Sequence, residues 1–169
     1  MDETGRLDMH PGLLKKMDWV IASMHQSCIN PLPFEQATNA WLAVAQNPLV
    51  DMIGHSEQEQ YLYDYNRVAK AFAAGNKVVE INANSPEVRP GNQDNMRRLA
   101  IACKQNGTKI AINSDAHSIY GLNNQGAVLP MLQQIDFPEE LIVNTTLQRL
   151  AAELKLHGKP VAKLVRQMA

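Results

Sequence analysis

The sequence lacks any apolar run approaching the roughly 20 residues needed to cross a membrane. Cysteine is scarce: Cys28 and Cys103 lie in different segments without CxxC spacing. That pattern argues against a disulfide scaffold or a cysteine zinc site, and predicts two reduced, buried thiols in a cytosolic protein. Charge of one sign is missing too. The formal net charge is -1 and no basic stripe is visible, so nothing points to nucleic acid. Glycine-rich phosphate loops of the GxGxxG or GxxxxGK[ST] type are absent, which counts against a nucleotide-binding doubly wound fold. The chain shows no low-complexity segment and no interdomain linker. Met1 to Arg6 are polar and do not resemble a signal peptide. The triplet at Asn144 fits a glycosylation sequon, but nothing else suggests secretion, and a cytoplasmic location is expected.

What is present is a repeated order of strand, loop and helix. With 169 residues, 45% of them hydrophobic, the chain can build one domain with a sizeable core, and a single domain over 1–169 is expected. Asp18 to Met24 is a short apolar run ending at His25. Leu49 to Ile53 is a second, ending at Gly54-His55. Lys77 to Asn82 is a third, Thr108 to Asn113 a fourth ending at Ser114-Asp115-Ala116-His117, and Leu141 to Val143 a short fifth. Near-continuous apolar runs of this length suit strands buried on both faces, as in parallel sheets. Between them, helical stripes cover Phe34 to Gln46, Gln58 to Ala74 and Gln93 to Gln105, with Gly75 and Gly107 placed as stops. Thr145 or Thr146 caps a last helix to about His157, and a further helix starts near Pro130. The strands recur at the spacing of βα units, so a mostly parallel α/β sheet with outer helices is expected.

Three strands deliver a histidine or aspartate at their carboxyl end, in VIASMH, VDMIGH and IAINSDAH. In α/β barrels that end is where active sites assemble. The set His25, His55, Asp115 and His117 combines imidazole and carboxylate, which suits zinc, manganese or iron(II). A metal held there would activate water and polarise a phosphoryl or carbonyl oxygen. Each residue alone also reads as structural: a hydrogen-bonded histidine after a strand, or an aspartate closing a turn. The threefold recurrence of the placement favours the metal reading.

These segments together resemble the PHP (polymerase and histidinol phosphatase) family, especially its bacterial stand-alone phosphoesterase branch. The matching stretches are RLDM at Arg6 to Met9, LLKKMDWVIASMH ending at His25, DMIGH ending at His55, VVEIN at Val78 to Asn82, INSDAH ending at His117, and FPEELIVN at Phe137 to Asn144. The resemblance implies a distorted (β/α)7 barrel, here incomplete with about five parallel strands. It also implies a cluster of two or three divalent metals, zinc foremost with manganese or iron as alternatives, and hydrolysis of small phosphoesters. By the matching motifs, His25 and His55 would hold one metal, Asp115 a second and His117 a third. The family's opening HxH, a further histidine, its DH pair and its bridging glutamate have no counterpart here; Glu3 is too close to Gly5 to be that glutamate. The chain thus resembles the carboxyl-terminal portion of such a barrel. Two functions follow: a metal-dependent phosphoesterase impaired in this chain, or a non-catalytic scaffold that forms a homo-oligomer through an open barrel edge.

Other polar residues carry two readings each. Arg89, on the loop after the third strand, would contact a substrate phosphate or be a solvated loop charge. Glu80, inside an apolar strand, must be paired, either within the barrel or toward substrate. Asn82 and Asn84 are expected to hydrogen-bond loop backbone. Tyr61, Tyr63 and Tyr65 read as helix packing and surface, His10 as a surface residue, and His157 as a cation at a helix end.

Overall fold

The apolar runs form strands only where neighbouring runs can pair. In the computed structural model, which describes residues 1–88, 92–122, 125–126 and 128–168, these are β1 (Ile21–Ala22), β2 (Met52–Ile53), β3 (Val78–Asn82) and β4 (Ile110–Asn113). They make one parallel sheet in the order β1-β2-β3-β4, with Ile21 beside Met52, Met52 beside Val78, and Val79 beside Ile110. Helix α2 (Phe34–Gln46) connects β1 to β2, α3 (Tyr65–Ala74) connects β2 to β3, and α5 (Gln93–Asn106) connects β3 to β4. Short helices α1 (Pro11–Leu14) and α4 (Ser85–Val88) precede β1 and follow β3, and α6 (Val128–Gln134), α7 (Leu147–Leu156) and α8 (Ala162–Met168) follow the sheet.

The two faces of the sheet differ. Alternate strand residues Ala22, Ile53, Val79, Ile81, Ile110 and Ile112 join α2, α3, α5 and α6 in one large core around Trp41 and Phe72. The other face carries a small cluster of Met52, Val78, Ala111 and Val143, against which Trp19 packs. Sequential strand order with helices gathered on one face is the pattern of a barrel sector, whereas a doubly wound sheet reverses its order and is covered on both sides. The architecture is α/β, a four-stranded parallel sheet flanked by helices, consistent with an incomplete barrel.

Five expectations need correction. Leu141 to Val143 does not form a fifth strand. A 3-10 turn occupies Glu139–Leu141, and only Ile142 bridges to Ile110. Beyond it the Asn144 side chain takes over the pairing, donating to Ile112 O at 2.7 Å and accepting from Ile112 N at 3.0 Å. The helix expected over Gln58 to Ala74 is split, with a 3-10 turn at Glu59–Tyr61 and α3 beginning only after Asp64, whose carboxylate accepts from Arg67 N. Tyr61, Tyr63 and Tyr65 are all buried and not at the surface. Tyr61 closes the 3-10 turn, Tyr63 lies on the non-helical link and Tyr65 opens α3, and Tyr61 Oη donates to Ile29 O at 2.7 Å. Cys28 is exposed, while Cys103 is buried and its thiol is pushed up to about 12 by that burial. Helix α6 begins at Val128, with Pro130 accommodated in its first turn where no helical N–H bond is required.

Candidate functional site at the carboxyl ends of the strands

β1 and β2 lie in direct register, so the residues just beyond Ala22 and Ile53 emerge side by side. This brings His25 and His55 together. Their Nε2 atoms are 3.1 Å apart, and the rings meet edge to face with centroids at 4.7 Å. Gly54 permits the approach, because a Cβ there would lie 3.0 Å from Ile21 Cγ2. His55 is buried and His25 exposed. The His55 backbone sits at φ 29, a region L-residues rarely adopt. Its N–H is anchored by Glu80 Oε2 at 2.8 Å.

Glu80 is the hub of this end of the sheet. Besides His55 N, it accepts from Asn113 Nδ2 at 2.9 Å and Asn82 Nδ2 at 3.4 Å, tying β2, β3 and β4 together. Of the two readings its sequence left open, the structure gives the polar contact within the sheet. Asn82 Oδ1 in turn accepts from Asn84 N, the loop-backbone bond expected of it. Two further buried polar residues were not singled out by sequence. Gln58 contacts His55 Nδ1 at 2.8 Å and Met24 O at 2.9 Å, and Glu57 accepts a bond from the Ser85 hydroxyl. Both sit in the polar run SEQEQ, where periodicity gives no sign that any residue is buried.

Asp115 and His117 follow β4. Asp115 has φ 51, and the exposed His117 bonds the Asp115 carbonyl through Nδ1 at 2.8 Å. Since a carbonyl only accepts, this bond fixes the His117 proton at Nδ1. Among the described residues, no three His, Cys, Asp or Glu side chains converge on one point suited to a metal ion. A tetrahedral zinc with Zn–N bonds of about 2.0–2.1 Å sets two nitrogens roughly 3.3 Å apart. The His25–His55 pair therefore fits two positions on one ion. Arg89 lies outside the described residues.

A cavity of about 340 Å³ opens beside His25 and is lined by Gln26, Gln58, Glu59, Gln60 and Asn92 among others. A larger cleft of about 710 Å³, between α7 and α8, contains none of the candidate ligands. The candidate ligands thus lie apart from this larger cleft.

The amino ends of the strands are built from paired charges. Asp51, just before β2, accepts from His157 Nδ1 at 3.0 Å, Lys159 Nζ at 2.6 Å and Val20 N at 2.8 Å. His157 also meets Glu153 at 3.2 Å, and Glu153 meets Lys109 at 2.5 Å. Burial pushes the Asp51 carboxyl up, but the bonds from His157, Lys159 and Val20 outweigh it and its pKa lies below the usual value. Glu153 is lowered in the same way, burial being outweighed by His157 and Lys109. Burial would lower His157; its two carboxylate partners prevail and raise it. The expected helix-end cation is thus the centre of a five-residue network.

No protein-family model matches the sequence. The chain is 34% identical over 155 residues to a probable phosphatase of Acetivibrio thermocellus, covering 92% of this chain and 64% of that protein. It is 35% identical over 161 residues to a probable phosphatase of Caldicellulosiruptor bescii, and 34% identical over 161 to one of Caldicellulosiruptor saccharolyticus. Each of these matches covers 95% of this chain and 67% of the relative. The chain thus spans about two thirds of the length of these curated relatives. Among the described residues no helix is long and apolar enough to cross a membrane. With identity above 30% across nearly its whole length, the chain belongs to the family of these bacterial probable phosphatases.

Proposed function

We propose that this protein is a PHP-type, metal-dependent phosphoesterase domain acting on small phosphate esters. The observation that carries the reading is the pairing of His25 Nε2 and His55 Nε2 at 3.1 Å, at the carboxyl ends of adjacent parallel strands. Relatives named probable phosphatases support the substrate class. His25 and His55 would hold one divalent ion, with Asp115 and His117 contributing to neighbouring positions. Zinc, manganese or iron(II) bound there supplies Lewis-acid stabilisation of charge on a phosphoryl group. The chain's own part is to fix the imidazoles: Glu80 holds the His55 backbone, and the Asp115 carbonyl orients His117.

The test is metal analysis joined to hydrolysis of an aryl phosphate. Bound zinc, manganese or iron, lost together with activity in the His25→Ala/His55→Ala double variant, is the expected result. Hydrolysis that survives both chelation and that double substitution would overturn it.

A second reading, a homo-oligomeric scaffold, draws on one observation. β1 is an edge strand, and Met9, Met17 and Ile21 stand exposed along one groove beside it. Edge strands of this kind recruit further strands. Light scattering that finds a dimer or larger assembly, reduced to monomer by Ile21→Lys, would support it; a monomer would remove it.

A further inference from the structure

The hydrogen bonds around His55 run in the direction opposite to those around His117, and the consequence bears on metal loading. The inference rests on the metal reading above. A histidine that binds a metal through Nε2 ordinarily donates its Nδ1–H to a carbonyl or carboxylate. His117 is arranged so, with Nδ1 on the Asp115 carbonyl. At His55, Nδ1 instead faces Gln58 Nε2 at 2.8 Å. The orientation of that amide follows from its other neighbours. The same Gln58 Nε2 lies 2.9 Å from Met24 O and 3.3 Å from His55 O, and both carbonyls only accept. The atom between them is therefore the amide nitrogen, and it donates to His55 Nδ1.

A ring nitrogen that accepts carries no proton, so neutral His55 holds its proton on Nε2. That Nε2–H points at His25 Nε2, 3.1 Å away, which must accept. His25 then carries its proton on Nδ1, 3.3 Å from Ser23 Oγ. The four side chains form one directed relay: Gln58 to His55, His55 to His25, His25 to Ser23. In this arrangement the Nε2 of His55 presents a proton where a metal needs a lone pair. Loading requires the proton to move to Nδ1 and the Gln58 amide to turn over. Turning it over sets Gln58 Oε1 against Met24 O, acceptor against acceptor.

We infer that Gln58 is a positioning residue that selects the Nε2–H tautomer of His55 and so acts as a brake on metal binding at the His25–His55 pair. The substitution Gln58→Glu replaces the donor with an acceptor and favours the opposite tautomer. Gln58→Met removes the donor without adding charge.

The first measurement needs no metal: long-range ¹H–¹⁵N correlation of the histidine ring nitrogens in chelator-treated protein. Wild type should show His55 with a bare Nδ1 and a protonated Nε2, and His117 the reverse. Zinc affinity, read by competition with a chromophoric chelator, should tighten by about 10-fold or more in Gln58→Glu, the scale of outer-shell partners of metal-bound histidine. A smaller tightening is expected in Gln58→Met, which decides the matter if Gln58→Glu fails to fold. Wild-type His55 protonated on Nδ1, or zinc affinity unchanged or weaker in both variants, overturns the inference. If wild type and both variants alike bind no zinc, the metal reading itself fails and the brake with it. The metal-free spectrum distinguishes that failure from a wrong tautomer.

Discussion

Asp51, just before β2, and Glu80, within β3, are both buried carboxylates, and their partners differ in kind. Asp51, at the amino end of β2, is met by Lys159 and His157, with Glu153 and Lys109 extending the network. Glu80, at the middle of β3, is held by neutral donors at the carboxyl ends of the strands: the His55 backbone N–H and the amides of Asn82 and Asn113. Pairing charge with charge cancels the local field and leaves a stable joint between β2 and the α7–α8 segment. Holding a carboxylate with neutral donors satisfies its lone pairs and ties the His55 backbone to β3 and β4. In α/β barrels the amino end serves stability and the carboxyl end serves chemistry. Here one type of side chain is treated differently toward the two ends of the sheet.

Breaking the amino-end joint should have the largest effect. Asp51→Ala strands Lys159 and His157 with a single buried carboxylate between them and leaves Val20 N without its acceptor. Removing one partner of a buried pair costs about 3–5 kcal/mol. Urea unfolding should show that loss, while the zinc affinity of the folded fraction stays at the wild-type value. A loss below about 1 kcal/mol would mean that the network is not what joins α7 to the sheet.

Glu80→Gln tests the other side of the comparison. The amide turns one acceptor oxygen into a donor facing N–H groups, at a cost of about 1–3 kcal/mol for the unsatisfied donor. Here stability and zinc affinity should fall together, because a single amide oxygen is left for the His55 N–H and the two asparagine amides and the His55 anchor is weakened. A stability loss with unchanged zinc affinity would confine Glu80 to a purely structural role.

A milder perturbation of the amino end is pH. The His157 pKa is raised in the folded protein, so its contribution is full below the ordinary histidine value of 6.5 and is lost as pH climbs through the raised value. Asp51 and Glu153 are lowered, so theirs is present above the ordinary 3.8 and 4.5 and is lost as pH falls through the lowered values. Stability should peak between about pH 5 and 6.5 and decline on both sides. Asp51→Asn should flatten both limbs in a series of urea titrations across pH.

Legibility from sequence followed the same division. The parallel α/β class, Phe34–Gln46 as a helix and the position of each chemical residue at a strand's carboxyl end were all readable, because they rest on local periodicity. The partners of those residues were not. Gln58 reaches Met24 from 34 residues away, and His157 reaches Asp51 from 106. Contacts at such separations leave no periodic trace. The missing fifth strand had a local cause that patterning also hides: the Asn144 side chain does the work of backbone. The break in the helix between Tyr61 and Tyr65 was hidden by the apolar stripe that continues into α3.

The smallest expected effect is an interaction energy near zero between the two ends. Lys77 Nζ, at the amino end of β3, donates to Asn47 O at 2.6 Å and Val50 O at 2.7 Å, with its pKa depressed by burial against the opposing pull of Asp51. Asn113, at the carboxyl end of β4, donates to Glu80. Lys77→Met orphans the Val50 carbonyl, while Asn47 O keeps its bond from Val50 N, and Asn113→Ala loosens one carboxylate oxygen, each at about 1–2 kcal/mol. Asn113 pairs with Asn82, five residues along β3 from Lys77, which at about 3.3 Å per residue puts the two sites roughly 16 Å apart. Sites that distant without shared partners add to within about 0.5 kcal/mol. A double-mutant cycle in urea should return that additivity. Coupling well above 0.5 kcal/mol would show that the strands transmit strain from one end to the other, and the amino-end network would then have to be counted as part of the site.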